Sequence, residues 1–157
     1  MKTKKLLSIV VLILIISFAY LTYDISLSEF KLSDTNNTYL GGLTWSRSLD
    51  KGLQAAQQED KPVMVYFWAI WCQFCKKFES ETLSNPEVNT ILRDDYVLVA
   101  MDLDVDRDVA RKYGVSYPPY MLFLDGSGNV LERIPGAVDA DYFFPKLMHA
   151  RDQVKSK

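Results

Sequence analysis

The stretch Val63-Met64-Val65-Tyr66-Phe67-Trp68-Ala69-Ile70-Trp71-Cys72-Gln73-Phe74-Cys75 runs eight apolar or aromatic residues into Trp71 and then the only two cysteines of a 157-residue chain. A strand with one wet face alternates apolar and polar residues, whereas Val63 to Trp68 is apolar at every position. That pattern predicts a strand covered on both faces inside a parallel or mixed sheet. Thiols at i and i+3 directly after it fall in the first turn of a helix. There the unpaired amides and the positive end of the helix dipole stabilise a thiolate, which is the attacking form. Cys72, nearer the helix start, is the candidate nucleophile. Cys75, one turn deeper, is placed to attack the Cys72 sulfur and release a partner held as a mixed disulfide.

Other uses of the two thiols fit less well. A disulfide across so short a loop removes little entropy from the unfolded chain and makes a poor staple. Structural zinc usually takes four protein ligands, and the chain has no third cysteine. Its single histidine, His149, has no metal-ligand spacing around it. No metal and no cofactor beyond the thiol pair is expected.

Outward from this stretch, Trp45, Leu49, Leu53 and Ala56 recur at helical spacing and predict an amphipathic helix from Trp45, broken by Lys61-Pro62. Beyond the cysteines, Lys76 to Ser80 read as helix until Ser84-Asn85-Pro86, where Asn85 caps a short new helix with Pro86 at its first position. Tyr96 to Met101 reads as a second buried strand, Asp106 to Tyr113 as a helix and Tyr120 to Leu124 as a third strand. Asp125-Gly126-Ser127-Gly128 suits a hairpin loop, so Asn129 to Ile134 should return antiparallel. Asp139 can cap a closing helix to about Val154, which Pro145 should kink or delay. The order predicts an α/β domain with a central mixed sheet and helices on both faces. The run Asp102-Leu103-Asp104-Val105-Asp106-Arg107-Asp108 lacks the glycine and final glutamate of a calcium loop and reads as a solvated connection.

The chain opens Met1-Lys2-Thr3-Lys4-Lys5 and continues for eighteen uncharged residues from Leu6 to Tyr23. That is close to the shortest span of a bilayer, and the lysines are expected to stay cytoplasmic with the remainder outside. Residues 1–23 are therefore expected to be a signal-anchor or a signal peptide. A retained segment gives a single-pass membrane protein with an extracytoplasmic domain, and a cleaved one gives a secreted or periplasmic protein. Residues 24–42, with Ser33-Asp34-Thr35-Asn36-Asn37-Thr38 and Gly41-Gly42, read as a polar tether to a domain over 43–157. Three of the eighteen basic residues precede the apolar run and all twenty acidic residues follow it. The rest of the chain is net acidic, which disfavours a nucleic-acid partner. No dimerisation segment is visible, so a monomer is expected.

Trp68-Ala69-Ile70-Trp71-Cys72-Gln73-Phe74-Cys75-Lys76 together with Gly114-Val115-Ser116-Tyr117-Pro118-Pro119 resembles the thioredoxin-fold proteins. Within them the likeness is to the extracytoplasmic C-terminal domain of the membrane electron transporter DsbD. It is carried also by Lys61-Pro62-Val63-Met64, Cys75-Lys76-Lys77-Phe78-Glu79, Asn85-Pro86-Glu87-Val88 and Tyr120 to Gly128, over roughly Trp45 to Arg151. The resemblance implies a thioredoxin-like fold and thiol–disulfide exchange, reducing disulfides of partner proteins with a membrane electron donor. It implies a cis Pro119 beside the thiols and a substrate-binding role for Pro118.

Three departures from the family stand out. Tyr66 occupies the place of a buried aspartate, so the deeper thiol needs another proton acceptor. Glu79 is the candidate, four residues after Cys75 on the same helix face and at a place held by an acid in DsbD-like domains. Pro118 can accept a hydrogen bond from a substrate but has no amide to donate. Gln73-Phe74 between the thiols leaves the reduction potential open. Trp71 and Tyr117 could form an apolar rim that receives a partner. A binding module without turnover, an isomerase or an oxidase are the alternatives.

Overall fold

The strand Val63–Trp68 lies inside a six-stranded sheet: β1 (Asn37–Leu40), β2 (Leu43–Ser46), β3 (Val63–Trp68), β4 (Val97–Asp102), β5 (Tyr120–Leu124) and β6 (Val130–Pro135), in spatial order β1-β2-β4-β3-β5-β6. The computed structural model describes residues 12–19 and 37–156. The chain divides into two units, Met1–Asn36 and Asn37–Lys157. In the first, residues 12–19 form a helix, α1, with exposed apolar side chains. Among the described residues no helix is long and apolar enough to cross a membrane. The remainder of the expected membrane segment, and the tether as far as residue 36, lie outside the described residues.

In the second unit β3 pairs in parallel with β4, Val65 opposite Val99, and antiparallel with β5, Val65 opposite Leu122. Side chains alternate across a strand, so β3 serves two cores at once. Val63, Val65 and Phe67 pack with Val99, Met101, Leu122 and Leu124 beneath α2 (Leu49–Glu59) and α5 (Arg107–Tyr113). Met64 and Tyr66 pack on the other face with Leu98, Ala100, Met121 and Phe123. That face is covered by α3 (Gln73–Phe78), a π-helical turn over Glu79–Leu83, α4 (Pro86–Asp95) and α6 (Ala140–Lys155). The expected mixed sheet with helices on both faces is the observed one.

Four local expectations change. Trp45 is not the start of a helix but lies in β2, fully buried, with its ring centroid 5.6 Å from that of Tyr66. Leu43 and Trp45 point inward while Thr44 and Ser46 do not, a strand period that the four-residue step from Trp45 to Leu49 concealed. The helix begins at Leu49, capped by Ser48, whose side chain accepts from Lys51 N. Residues 37–42 belong to the folded unit and not to a tether. β1 and β2 form a hairpin through Gly41 and Gly42, both at positive φ (58° and 79°), which favours glycine.

Beyond the cysteines the helical chain runs to Leu83, up to the expected break at Ser84, but its last five residues, Glu79–Leu83, widen from an α-helix into a π-turn. The helix α6 starts at Ala140 directly after its Asp139 cap, with no delay, and runs through the exposed Pro145 to Lys155. Asn85 caps α4 as expected, accepting from the amides of Glu87 and Val88, with Pro86 in the first turn.

Gly52 marks where α2 approaches the sheet most closely. A Cβ there would lie 2.3 Å from Cγ2 of the buried Val99. Gly52→Ala gains about 1 kcal/mol of helix propensity but overpacks a stiff β-branched neighbour at a cost of about 1–3 kcal/mol. Urea unfolding is expected to show a net loss of roughly 1 kcal/mol; a more stable variant would mean that the helix lifts off the sheet freely.

Candidate active site

The chain leaves β3 at Trp68, whose carbonyl accepts from Leu103 N, and turns so that Cys72 N donates to Ala69 O at 3.1 Å. Cys72 is the N-cap of α3, extended at φ −78° and ψ 102°, and its Sγ accepts a hydrogen bond from Cys75 N at 3.0 Å. The two sulfurs form a disulfide with a Cα–Cα distance of 5.2 Å. Exposure separates them little, at 4% for Cys72 and 1% for Cys75. The electrostatic difference is larger, because only Cys72 sits at the cap and receives an amide on its sulfur. After reduction that amide and the helix start favour a thiolate on Cys72.

The register of the neighbouring strands brings the other segments to this end of the sheet. Tyr120, the first residue of β5, pairs with Phe67 near the end of β3. The Pro118–Pro119 bond just before it is cis. Pro119 is buried and its carbonyl accepts from Gly136 N at 2.9 Å, while Pro118 is half-buried. Tyr117 is exposed and meets Tyr120 edge-on at 6.3 Å between centroids.

Around the disulfide Ile70, Trp71, Phe74 and Tyr117 expose 74%, 60%, 68% and 52% of their surfaces. Trp71 is nonetheless fixed, since its Nε1 donates to Asp104 Oδ2 at 2.8 Å. Trp71 and Pro118 line one cleft of about 380 Å3 with Leu103, Asp104, Arg107 and Ser116. On the other side Phe74 borders a cleft of about 290 Å3 with Phe78, Ala137 and Val138. Within the aspartate run, Asp106 accepts from Asp102 N and Asp102 accepts from Asp104 N, so these carboxylates brace their own loop.

The buried side of the site is polar at one point. Tyr66, wholly buried between the rings of Trp45 and Phe78 in the core cluster that also contains both cysteines, donates its hydroxyl to Glu79 Oε1 at 3.0 Å. Glu79 is half-buried, and its backbone N–H bonds Cys75 O. Burial pushes the Glu79 carboxyl above its ordinary range, opposed by the Tyr66 hydrogen bond and by the Lys76 charge. Burial, and then the Glu79 charge, push the Tyr66 phenol far up, so it stays protonated. His149 is exposed on α6.

Sequence reasoning named Cys72, Cys75, Trp71, Tyr117, Pro118, Pro119 and Glu79. It missed two bonds that organise them, Trp71 to Asp104 and Tyr66 to Glu79. The first depends on the β3–β4 register, which sets Trp68 opposite Asp102 and so lays the next loop beside Trp71. The second joins residues thirteen apart on different elements. The absent strand acid at Tyr66 was its only trace in the sequence.

Residues 49–151 match the family described as a thioredoxin-like domain. The chain belongs to that family. Among curated thioredoxin-like relatives, thiol:disulfide interchange protein DsbD of Escherichia coli K12 is 36% identical over 116 residues, which is 70% of this chain and 20% of the relative. DsbD of Cronobacter sakazakii is 40% identical over 105 residues, 63% of this chain and 18% of the relative. This chain thus spans about a fifth of the length of these relatives. The oxidised C-terminal domain of Neisseria meningitidis DsbD superposes with a TM-score of 0.55 at 28% identity, covering 64% of this chain and 90% of that one. A thioredoxin from Thermus thermophilus gives 0.59 at 27% identity, covering 64% and 81%. The thioredoxin-like domain is thus related to the DsbD C-terminal domain and carries the disulfide of a thiol–disulfide oxidoreductase.

The raised Glu79 carboxyl has a consequence for stability. Its folded value lies above the ordinary 4.5, so the native state resists losing this proton and stability falls as pH rises from the unfolded value through the folded one. Glu79→Gln removes the titration while its amide oxygen can still accept from Tyr66. In oxidised protein, the unfolding free energy of the variant minus that of wild type is expected to grow from acid to neutral pH. A pH-independent difference in parallel urea titrations would mean that Glu79 titrates as a solvated acid.

Proposed function

We propose that this chain is a membrane-tethered, extracytoplasmic thiol–disulfide oxidoreductase that reduces disulfides in partner proteins. The observation that carries this reading is the Cys72–Cys75 disulfide at the cap of α3, with the Cys75 amide on the Cys72 sulfur. The direction is supported by the likeness to proteins named thiol:disulfide interchange protein DsbD, and the tether by Lys2, Lys4 and Lys5 before the uncharged run Leu6 to Tyr23.

In the reduced protein the Cys72 thiolate attacks one sulfur of a partner disulfide. The partner's other sulfur leaves as a thiolate, and the two proteins are joined as a mixed disulfide. Cys75 then gives up its proton, Glu79 being the acceptor, and attacks the Cys72 sulfur. The partner's second thiolate departs and takes up a proton. Two electrons and the single proton of the thiolate–thiol pair have moved to the partner side, the first partner sulfur being left as a thiolate, and the enzyme is left in the disulfide form. A dithiol donor at the membrane reverses these steps to restore the thiols. Trp71, Tyr117 and Pro118 receive the partner chain beside the cis Pro119, Pro118 through its carbonyl alone. The same exposed rim would suit a binding module without turnover, which reduction of insulin disulfides would separate from an enzyme.

If Cys72 attacks and Cys75 resolves, Cys75→Ser leaves a nucleophile that captures partners and does not release them. Non-reducing gels of membranes are expected to show covalent complexes for Cys75→Ser and few for Cys72→Ser, with turnover lost in both. Equal trapping would overturn the order of attack, and insulin reduction by the double variant would overturn the enzymatic reading.

Topology is tested separately. In intact cells, after mild reduction, a membrane-impermeant thiol reagent is expected to label Cys72. Labelling only after the membrane is opened would place the domain in the cytoplasm.

A further inference from the structure

The residue at the place of the family's buried acid is a phenol, and it is hydrogen-bonded to the carboxylate of Glu79, four residues after Cys75 on the same helical run. We propose that Tyr66 is a positioning residue for the resolving step, holding the Glu79 carboxylate against the buried side of the thiol pair so that it can take the Cys75 proton. This rests on the thiol–disulfide reading above and assigns Tyr66 a part in it.

The geometry supports that part in three ways. Tyr66 is immobilised, since its ring lies at centroid distances of 5.6 Å from Trp45 and 5.7 Å from Phe78, and the residue is wholly buried. Its hydroxyl therefore offers a donor at a fixed point on the β3 face that also bears both cysteines. Glu79 sits one helical turn beyond Cys75 and begins the π-turn. Such wide turns change which way a side chain leaves the helix and recur at functional sites. A glutamate on this turn has open solvent available to it, yet its carboxylate is drawn inward to a buried phenol.

The phenol itself is not the base. Burial and the neighbouring carboxylate keep Tyr66 protonated, so it acts as a donor only. The groups acting on the Glu79 charge are Tyr66 from β3 and Lys76 from α3. The closing helix α6 meets this region with Phe143, edge-on to Phe78. Burial raises the carboxyl, and Tyr66 and Lys76 draw it back. Removing the hydroxyl leaves burial less opposed. The carboxylate then loses its anchor, and its carboxyl is pushed further above the ordinary range. In the step concerned the Cys75 S–H bond breaks, Glu79 gains the proton, the Cys75–Cys72 bond forms, and the bond from Cys72 to the partner breaks with the electron pair leaving on the partner sulfur.

The test uses the reduced full chain and a small aromatic disulfide in stopped flow. Attack by Cys72 releases one aryl thiolate, and attack by Cys75 on the mixed disulfide releases a second, so the two steps are read separately. Profiles between about pH 5 and 9 are recorded for wild type, Tyr66→Phe, Glu79→Gln and the double variant. Tyr66→Phe keeps the ring, and so the packing. It is expected to leave the first phase unchanged and to move the inflection of the second upward by about one pH unit, the size of a lost hydrogen bond to a charged acceptor. Glu79→Gln should abolish that inflection, and the double variant should match Glu79→Gln alone.

A second-phase profile of Tyr66→Phe that superimposes on wild type would overturn the proposal. So would an equal effect of Tyr66→Phe in the Glu79→Gln background, which would mean that the tyrosine acts by packing alone. Absence of the first phase in wild type would instead overturn the underlying exchange reading.

Discussion

Burial of β3 on both faces is the constraint on which the rest of this domain depends. A strand whose side chains are apolar above and below can be satisfied only between two other strands and beneath two layers of helices. Here β4 and β5 supply the backbone partners, α2 and α5 one cover, and α3, α4 and α6 the other. The chain then has to leave this central position at Trp68 and immediately begin a covering helix. Cys72 is the residue at which strand ends and helix begins, so its sulfur takes the place of a capping side chain. The reactive group is thus placed by the same packing that makes the sheet.

The site has two sides with opposite physical character. Toward solvent, Ile70, Trp71, Phe74 and Tyr117 present apolar surface that a monomeric domain has no internal reason to expose. Trp71 is held in that exposed position by Asp104, so this part of the exposed apolar surface is preorganised. Toward the core, the buried Tyr66 and the half-buried Glu79 form a polar pair at the edge of an apolar cluster. An isolated carboxylate at that place would be costly, and the phenol that replaces the family's strand acid provides its hydrogen bond. The mechanism proposed above uses both sides, with the partner arriving from solvent and the proton of Cys75 passing to Glu79.

Where sequence reasoning went astray, the competing signal was tertiary. Trp45 fits a helical period with Leu49 and Leu53, and it also fits a strand period with Leu43. Pairing of β2 with β1 and β4 selects the second. Asn37 to Leu40 looked too polar for anything but a tether. As an edge strand with exposed alternate positions, it needs little apolar surface to be stable once Gly41-Gly42 closes the hairpin. The π-turn left no mark, because a one-residue change of helical period over Glu79 to Leu83 is set by how the turn packs against its neighbours, and composition does not record it.

What the sequence by itself determined is everything that follows from local order. The apolar run is a doubly buried strand, and two thiols follow it at a helix start. Asn85-Pro86 opens a helix, Asp125 to Gly128 turns a hairpin, and the pattern belongs with thioredoxin-like domains. These are properties of neighbouring residues, governed by side-chain period, capping and backbone freedom, and they can be read without knowing what lies across the sheet. The tertiary structure alone decided which distant groups meet: Tyr66 with Glu79, and Trp71 with Asp104. Such contacts depend on strand register and on the angle at which a helix crosses the sheet. Both are settled by packing the whole core at once.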